Sequence, residues 1–406
     1  MTTSSVAIIG AGPAGLALAR LLECRGVSYV VYERDASPAA FGQRTGGTLD
    51  IHASTGQRAI VEGGLAKEFE KYARYDASTF KLWDGVGRGR QYVDLERGSD
   101  FPEIDRGDLR RIYLEAVPEG KIRWGCGVKR VTRGADGKGG EPVLEFADGT
   151  TASGFRLVVG ADGAWSKVRS LLTPVTPQYC GIHIIESRIN PDNPVYAQLQ
   201  SRVRKGMLMA GGPNKTATFQ NLGDGSYRVY LGVQVAEDFS TDGRVDFADT
   251  EAMRALCLST EEGKHGGFFG DWTDEIRHYI AHATDFRPWP LYHIPPSAIA
   301  WDPVPGVTLV GDAAHLGPPS GEGANYAMTD ALDLAEKLAE HGGLDSDGDE
   351  ARDRAVREYE VEMFARGAGL VQRGLDMLGV FYADNSPHSI VDFFRGKGAP
   401  IAEREI

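Results

Sequence analysis

The feature that most constrains this chain is Gly10-Ala11-Gly12-Pro13-Ala14-Gly15, set between an apolar run and a helix-forming run. Val6-Ala7-Ile8-Ile9 is short, apolar and closed by glycine, the pattern of a strand buried on both faces of a parallel sheet. Residues 14–24 are helix formers with no breaker after Gly15. Residues 27–32 are rich in β-branched and aromatic types and end at Glu33. Strand, helix and strand within about thirty residues make the βαβ unit of a dinucleotide-binding fold. The spacing has a physical reason. Gly10 makes the tight turn, Gly12 lets a pyrophosphate approach the backbone, and Gly15, beside Ala14, lets helix and strand pack closely. The helix start offers unpaired N–H groups and a positive dipole end to phosphates. Glu33 is placed to accept hydrogen bonds from an adenosine ribose.

One such unit cannot account for 406 residues, a length that fits two closely associated domains. A net charge of −13 argues against broad binding to nucleic acid or to anionic membranes. The cysteines Cys24, Cys126, Cys180 and Cys257 are scattered, with no CxxC pair, so neither a metal site nor a disulfide framework is expected. No secretory signal and no apolar run of membrane-spanning length is visible, and a cytoplasmic protein is expected. The apolar stretch 370–394 is interrupted by Arg373, Asp376, Asp384 and Asp392 and reads as a packing helix.

Further along, residues 41–56 are rich in Gly and Thr and read as a functional loop. Helices are expected at 55–72, broken at Gly63-Gly64, and at 106–116, capped by Asp105. Residues 121–160 read as short strands, the last returning to the first sheet through Val158-Val159-Gly160. Residues 175–300 alternate in the manner of antiparallel strands, most clearly at 227–235, with helix at 250–285. A buried strand at 307–310 and a helix at 323–339 bring the chain back. The expected fold class is α/β: a discontinuous Rossmann-type domain at 1–174 and 301–340, a β-sheet substrate domain at 175–300, and a C-terminal helical segment at 341–406.

Two later segments carry further glycine-rich turns. Gly160-Ala161-Asp162-Gly163, followed by Ser166, Lys167 and Arg169, turns the chain at a strand end, where Asp162 can lie beside a pyrophosphate. Gly311-Asp312-Ala313-Ala314-His315, then Pro318-Pro319 and Gly321-Glu322-Gly323-Ala324-Asn325, again leads a strand into a helix. There Asp312 is placed to hold a ribityl hydroxyl, and the N–H groups near Gly323 to stabilise negative charge on a reduced isoalloxazine. His315 reads as a structural hydrogen-bonding residue behind the flavin rather than a catalytic one.

Three motifs in this order and spacing resemble the group A flavoprotein monooxygenases, the para-hydroxybenzoate hydroxylase superfamily, over essentially the whole chain. Gly46-Gly47-Thr48-Leu49-Asp50-Ile51-His52, 102–110 and 311–319 resemble most closely the tetracycline-inactivating flavin monooxygenases. The resemblance implies an FAD-binding domain with a substrate sheet above it, and FAD contacts at Gly47, Asp50, Arg106 and Asp312, with Asn325 in the same segment. Arg34 would lie near the adenine and Arg44 near NADPH. The implied reaction takes NADPH or NADH and O2, and hydroxylates a phenolic, enolic or polycyclic small molecule through a flavin C4a-hydroperoxide.

The chain departs from that family where substrate would sit. Ser320 stands where the resembling enzymes carry an aromatic residue, and Glu186 where they carry glutamine. Met209, Phe219 and Tyr230 are expected to face the same pocket, with Glu186 and Tyr230 the candidate bases. Epoxidation, Baeyer–Villiger insertion, reduction, and non-catalytic small-molecule binding remain alternatives on the same fold.

Overall fold

The structure is a computed structural model. It describes residues 5–406 apart from 43–45, 78, 87–88, 97–99, 135–139, 261–266, 343, 345–348, 399–400, 402–403 and 406. Arg44 therefore lies outside the described residues. The chain divides into two units. One comprises Met1–Ala73, Ile104–Gln178 and Tyr292–Gly374; the other comprises Arg74–Glu103, Tyr179–Leu291 and Leu375–Ile406.

The first unit is built on a parallel sheet in the order Val307–Leu309, Leu157–Gly160, Val6–Ile9, Tyr29–Tyr32 and Ile122–Arg123. The three innermost strands are almost wholly apolar because helices cover both faces of such a sheet. Leu16, Leu18 and Leu21 of the Pro13–Cys24 helix are fully buried against this core, each contributing about 1.5–3 kcal/mol relative to exposure. Tyr113 of the Arg106–Ala116 helix, Met328 of the Gly323–Glu340 helix and Met363 of the Asp349–Phe381 helix join the same core. A two-stranded ribbon, Thr48–Asp50 with Glu103–Asp105, supports the loop before the Arg106 helix.

The second unit carries an eight-stranded sheet, in the order Thr284–His293, Gln178–Ile189, Tyr227–Gln234, Lys215–Asn221, Gly206–Gly212, Thr79–Asp84, Arg90–Glu96 and Arg404–Glu405. One of its faces packs on the helices Tyr196–Val203, Thr250–Leu258 and Asp274–His282 through Ile185, Leu199, Phe219, Met253 and Tyr279. Its other face carries the helix His388–Gly396, whose Ile390 and Val391 pack with Phe80, Leu82, Val93 and Met209.

The division differs from the expected boundaries, with 175–178 and 292–300 in the first unit and two larger departures. Residues 74–103 belong to the second unit, because Thr79–Asp84 pairs in parallel with Gly206–Gly212, a partner far away in sequence. Residues 341–406 are not a separate segment: the long helix Asp349–Phe381 packs with the first unit up to Gly374, and the remainder belongs to the second. Among the described residues no helix is long and apolar enough to cross a membrane.

Candidate functional site

The three glycine-rich turns meet at the C-terminal ends of the parallel strands. Gly10 takes a φ of +105°, and a Cβ built on it would lie 2.4 Å from the carbonyl oxygen of Ala161, in the second turn. A Cβ on Gly15 would lie 2.0 Å from the Gly10 oxygen. Both positions are therefore closed to any side chain by backbone on the other side. Gly12 is different: a Cβ there would meet nothing within 4 Å. Gly12 is also the N-cap of the Pro13–Cys24 helix and supplies no side-chain cap to the first N–H groups of that helix. Gly311 has a φ of +61°, and its Cβ position is flanked by Ala14 and Ala327 at 3.2 and 3.1 Å, which brings the third turn against the first.

Side chains lock these turns together. The Glu33 carboxylate accepts the Ala11 N–H at 2.8 Å and the Asp35 N–H at 2.9 Å, one on each oxygen. Each oxygen keeps a further lone pair for a ligand hydroxyl. Asp162 Oδ2 accepts the Lys167 N–H at 2.6 Å, while its Oδ1 is enclosed and has no partner. Burial pushes this carboxyl up from its ordinary pKa, against the bonds from Ser166 and Lys167. The buried Arg169 ties the second turn to the third, donating to the Ala313 and Ala164 oxygens at 3.0 and 2.5 Å.

Asp330 anchors the third turn. It is fully buried, and its Oδ2 accepts both the Gly311 N–H at 2.9 Å and His315 Nε2 at 2.6 Å, while Oδ1 accepts Arg366 at 2.8 Å. Burial alone would raise the Asp330 pKa, but His315 and Arg366 hold it below the ordinary carboxylate range. Burial alone would depress His315, yet Asp330 raises it. His315 is thus a bridge inside the fold, in keeping with its structural reading. Neither Asp330 nor Arg366 was singled out from sequence. The signal that could have found Asp330 is a carboxylate inside the apolar helical run Ala327-Met328 to Ala331-Leu332.

The remaining expected contacts sort by exposure. Asp312 is exposed at the head of the short helix Asp312–His315, and Arg34 is exposed after the second strand. Gly47 accepts the Arg106 N–H at 3.1 Å, and the Arg106 side chain runs across Gly46, where a Cβ would lie 2.6 Å from Cδ. Asn325 is buried and committed to the 46–52 loop: Nδ2 donates to the Asp50 oxygen at 2.7 Å and Oδ1 accepts the His52 N–H at 2.8 Å. It shapes the loop that presents Asp50. Gly323 opens the Gly323–Glu340 helix with nothing within 4 Å of its Cβ position, and Ser320 Oγ accepts the Glu322 N–H at 3.4 Å just before it. Two helix starts without a side-chain cap and with nothing near their glycine Cβ positions, together with an exposed Asp312, fit an extended dinucleotide carrying a pyrophosphate.

In the second unit the sheet register decides which side chains share a face, because directly opposed residues point the same way. One row runs Glu186, Tyr230, Thr218, Met209 and Leu82, and the next runs Arg188, Arg228, Gln220, Met207 and Phe80. Ser187, Val229, Phe219 and Leu208 form the row between them on the opposite face. Met209 and Tyr230 therefore share a face with Glu186, but Phe219 does not. It is fully buried against Tyr279 in the helix-covered core, at a ring separation of 5.4 Å. The expectation of Phe219 in the pocket is corrected by this alternation. Glu186 Oε1 accepts Arg228 Nη1 at 2.7 Å, and both residues are buried.

The model of the family described as "FAD binding domain" matches residues 3–195 and 304–373. The chain belongs to the FAD-binding monooxygenases. The monooxygenase penA of Penicillium thymicola is 30% identical over 95% of this chain and 97% of its own length. The 3-amino-4-hydroxybenzoate 2-monooxygenase PtmB3 of Streptomyces platensis is 28% identical over 98% of this chain and 93% of its own. Among solved structures, tetracycline destructase Tet(51) shares the fold at a TM-score of 0.65 and 19% identity, covering 97% of this chain and 95% of that one. The protein is a group A flavin monooxygenase, an FAD-dependent hydroxylating enzyme. The expected superfamily, fold class and cofactor agree with these findings.

Proposed function

We propose that this monooxygenase oxidises NADPH or NADH and uses O2 to hydroxylate a small phenolic, enolic or polycyclic compound. The observation that carries the reading is the contrast at the first turn. Gly10 and Gly15 are sealed by backbone while the Cβ position of Gly12 is clear, at a helix start without a side-chain cap, the arrangement a pyrophosphate requires. When bound, FAD supplies the acceptance of hydride and the activation of oxygen. The chain's own residues hold and orient it. Gly10, Gly12, Ala14 and Gly15 shape the pyrophosphate site, and Glu33 and Arg34 take the adenosine end. Asp312 takes a ribityl hydroxyl, and the Gly323 helix start faces the developing negative charge. Asp50, presented by Asn325, and Gly47 and Arg106 complete the loop side; Asp162 shapes the second turn by accepting the Lys167 N–H.

The row Glu186, Tyr230, Thr218 and Met209 is the proposed substrate face of the second unit's sheet, and Ser320 is the proposed substrate contact of the first unit. Glu186 is engaged with Arg228, so neither it nor Tyr230 is assigned as an obligatory base. A substrate with an acidic phenol or enol needs none. The names of the relatives support the class: one of them is named for an amino-hydroxybenzoate.

The test is oxidation of NADPH and NADH by the purified yellow protein across a panel of phenols and polycyclic enols, with H2O2 and product mass followed together. The reading predicts one compound that accelerates oxidation and gains a single oxygen atom. Acceleration with H2O2 as the sole product for every compound, or a product that gains two hydrogens instead, would overturn it.

A further inference from the structure

The helix Asp274–His282 of the second unit carries two histidines one turn apart, in the run His278-Tyr279-Ile280-Ala281-His282. Ile276, Tyr279 and Ile280 are fully buried in the core of that unit and anchor the helix by that side. His278 is exposed and His282 half-buried. Residues four apart on a helix lie one above the other. Here the two imidazole rings are 4.6 Å apart between centroids and inclined at 67°.

Hydrogen bonds orient the pair. His282 Nδ1 lies 2.9 Å from the His278 carbonyl oxygen, one turn back. A carbonyl oxygen only accepts, so Nδ1 carries the proton, and in the neutral ring Nε2 keeps its lone pair for a ligand. A bond from the far ring nitrogen to a backbone carbonyl is how metal-ligating histidines are held in tautomer and orientation. The His282 carbonyl in turn accepts Asn193 Nδ2 at 2.8 Å, which pins the end of the helix. One imidazole is thus preset as a ligand, and the second stands beside it.

Two imidazoles at this spacing chelate a borderline dication such as Zn2+, Ni2+ or Cu2+, whereas Mg2+ and Ca2+ take oxygen ligands. Helical zinc hydrolases use the same spacing with a glutamate after the first histidine as base. Here the buried Tyr279 stands in that place, so the pair can bind a metal but brings no such base. A second cluster, Glu340, His341 and Glu358 in the first unit, brings three ligand atoms within 4.8 Å of one another. Its groups are engaged with each other and with a lysine: His341 Nε2 donates to Glu358 at 2.8 Å, and Lys337 donates to Glu340 at 3.4 Å.

We propose that His278 and His282 form a surface binding site for a transition-metal dication of the Zn2+ class, with water completing the coordination. The site is built wholly within the second unit.

The experiment titrates tag-free, FAD-loaded enzyme with Zn2+ in a calorimeter, with Mg2+ as the control ion. Wild type should take up Zn2+ and not Mg2+. H278Q and H282Q each remove one imidazole, and each should bind Zn2+ at least about tenfold more weakly, the advantage of a chelate over a single ligand. H341Q should leave this site unchanged. His278 is exposed, so H278Q should fold as wild type does, and its result decides alone if H282Q does not fold. Absence of Zn2+ binding to wild type overturns the proposal, as does Mg2+ bound as tightly as Zn2+. So does Zn2+ binding to H278Q or to folded H282Q as tight as to wild type, or loss of the site in H341Q instead.

Discussion

In the proposed reading the two units recognise by different means. The first presents backbone: glycine turns, two helix starts without side-chain caps, and a few carboxylates held in place by N–H groups. The second presents side chains on a sheet face, where charge is cancelled within the unit before any ligand arrives. A backbone site is nearly indifferent to side-chain identity except at its glycines, and this makes it visible as a short sequence pattern. A sheet face changes its meaning with a shift of one residue, because alternate residues point to opposite sides.

The largest expected effect sharpens this contrast within one turn. Gly15→Val should abolish folding of the first unit, since even a Cβ would lie 2.0 Å from the Gly10 oxygen. Gly12→Ala should fold with a melting temperature within a few degrees of wild type and lose FAD affinity. Thermal melts and the flavin content of the purified proteins read both, and equal stability loss in the two variants would break the distinction between packing and ligand glycines.

Phe219→Ala tests the sheet. Removing a fully buried ring from the helix-covered face should cost about 3–5 kcal/mol in denaturant unfolding. Ligand titrations of the folded protein should be unchanged. A stable variant with altered ligand binding would return Phe219 to the pocket.

A third prediction concerns the first unit beneath its site. Glu360 is buried and accepts Thr308 Oγ1 at 2.8 Å and Trp301 Nε1 at 3.1 Å, and burial pushes its pKa up from 4.5 to about 7 despite those donors. A carboxyl whose folded pKa is raised stabilises the fold at low pH, and that contribution is lost as pH rises through the folded value. Glu360→Gln should therefore gain on wild type as pH rises from about 5 to 8, by up to about 3 kcal/mol. Parallel stability curves for the two proteins would show that Glu360 ionises without cost.

The smallest effect is at the ribose end. Glu33→Ala should weaken FAD binding by about 1–3 kcal/mol, and because Glu33 also holds the Ala11 N–H, a modest loss of stability should accompany it. Unchanged FAD affinity would place the ribose elsewhere.

What the sequence made legible follows the same division. The first turn, its strands, the return at Val158-Val159-Gly160 and the third turn are local patterns whose glycine spacing has one geometric meaning, and each is found where expected. The membership of 74–103 in the second unit was not legible, because Thr79–Asp84 finds its partner at Gly206–Gly212 and no local pattern encodes that pairing. Phe219 was misread because alternation alone does not say which set of residues faces the helices. Asp330 was missed because its role depends on Arg366 and His315, which only the fold brings to it. The Glu186–Arg228 pair likewise exists only through register.

The most direct test of the central claim, that the glycine-lined face holds a flavin reducible by a nicotinamide, is anaerobic mixing of the purified yellow protein with NADPH and, separately, NADH while the flavin absorbance is followed. The account predicts bleaching by at least one of them, with colour restored on admitting O2. A protein that stays yellow with both, alone and with each compound of the phenol panel, would contradict it.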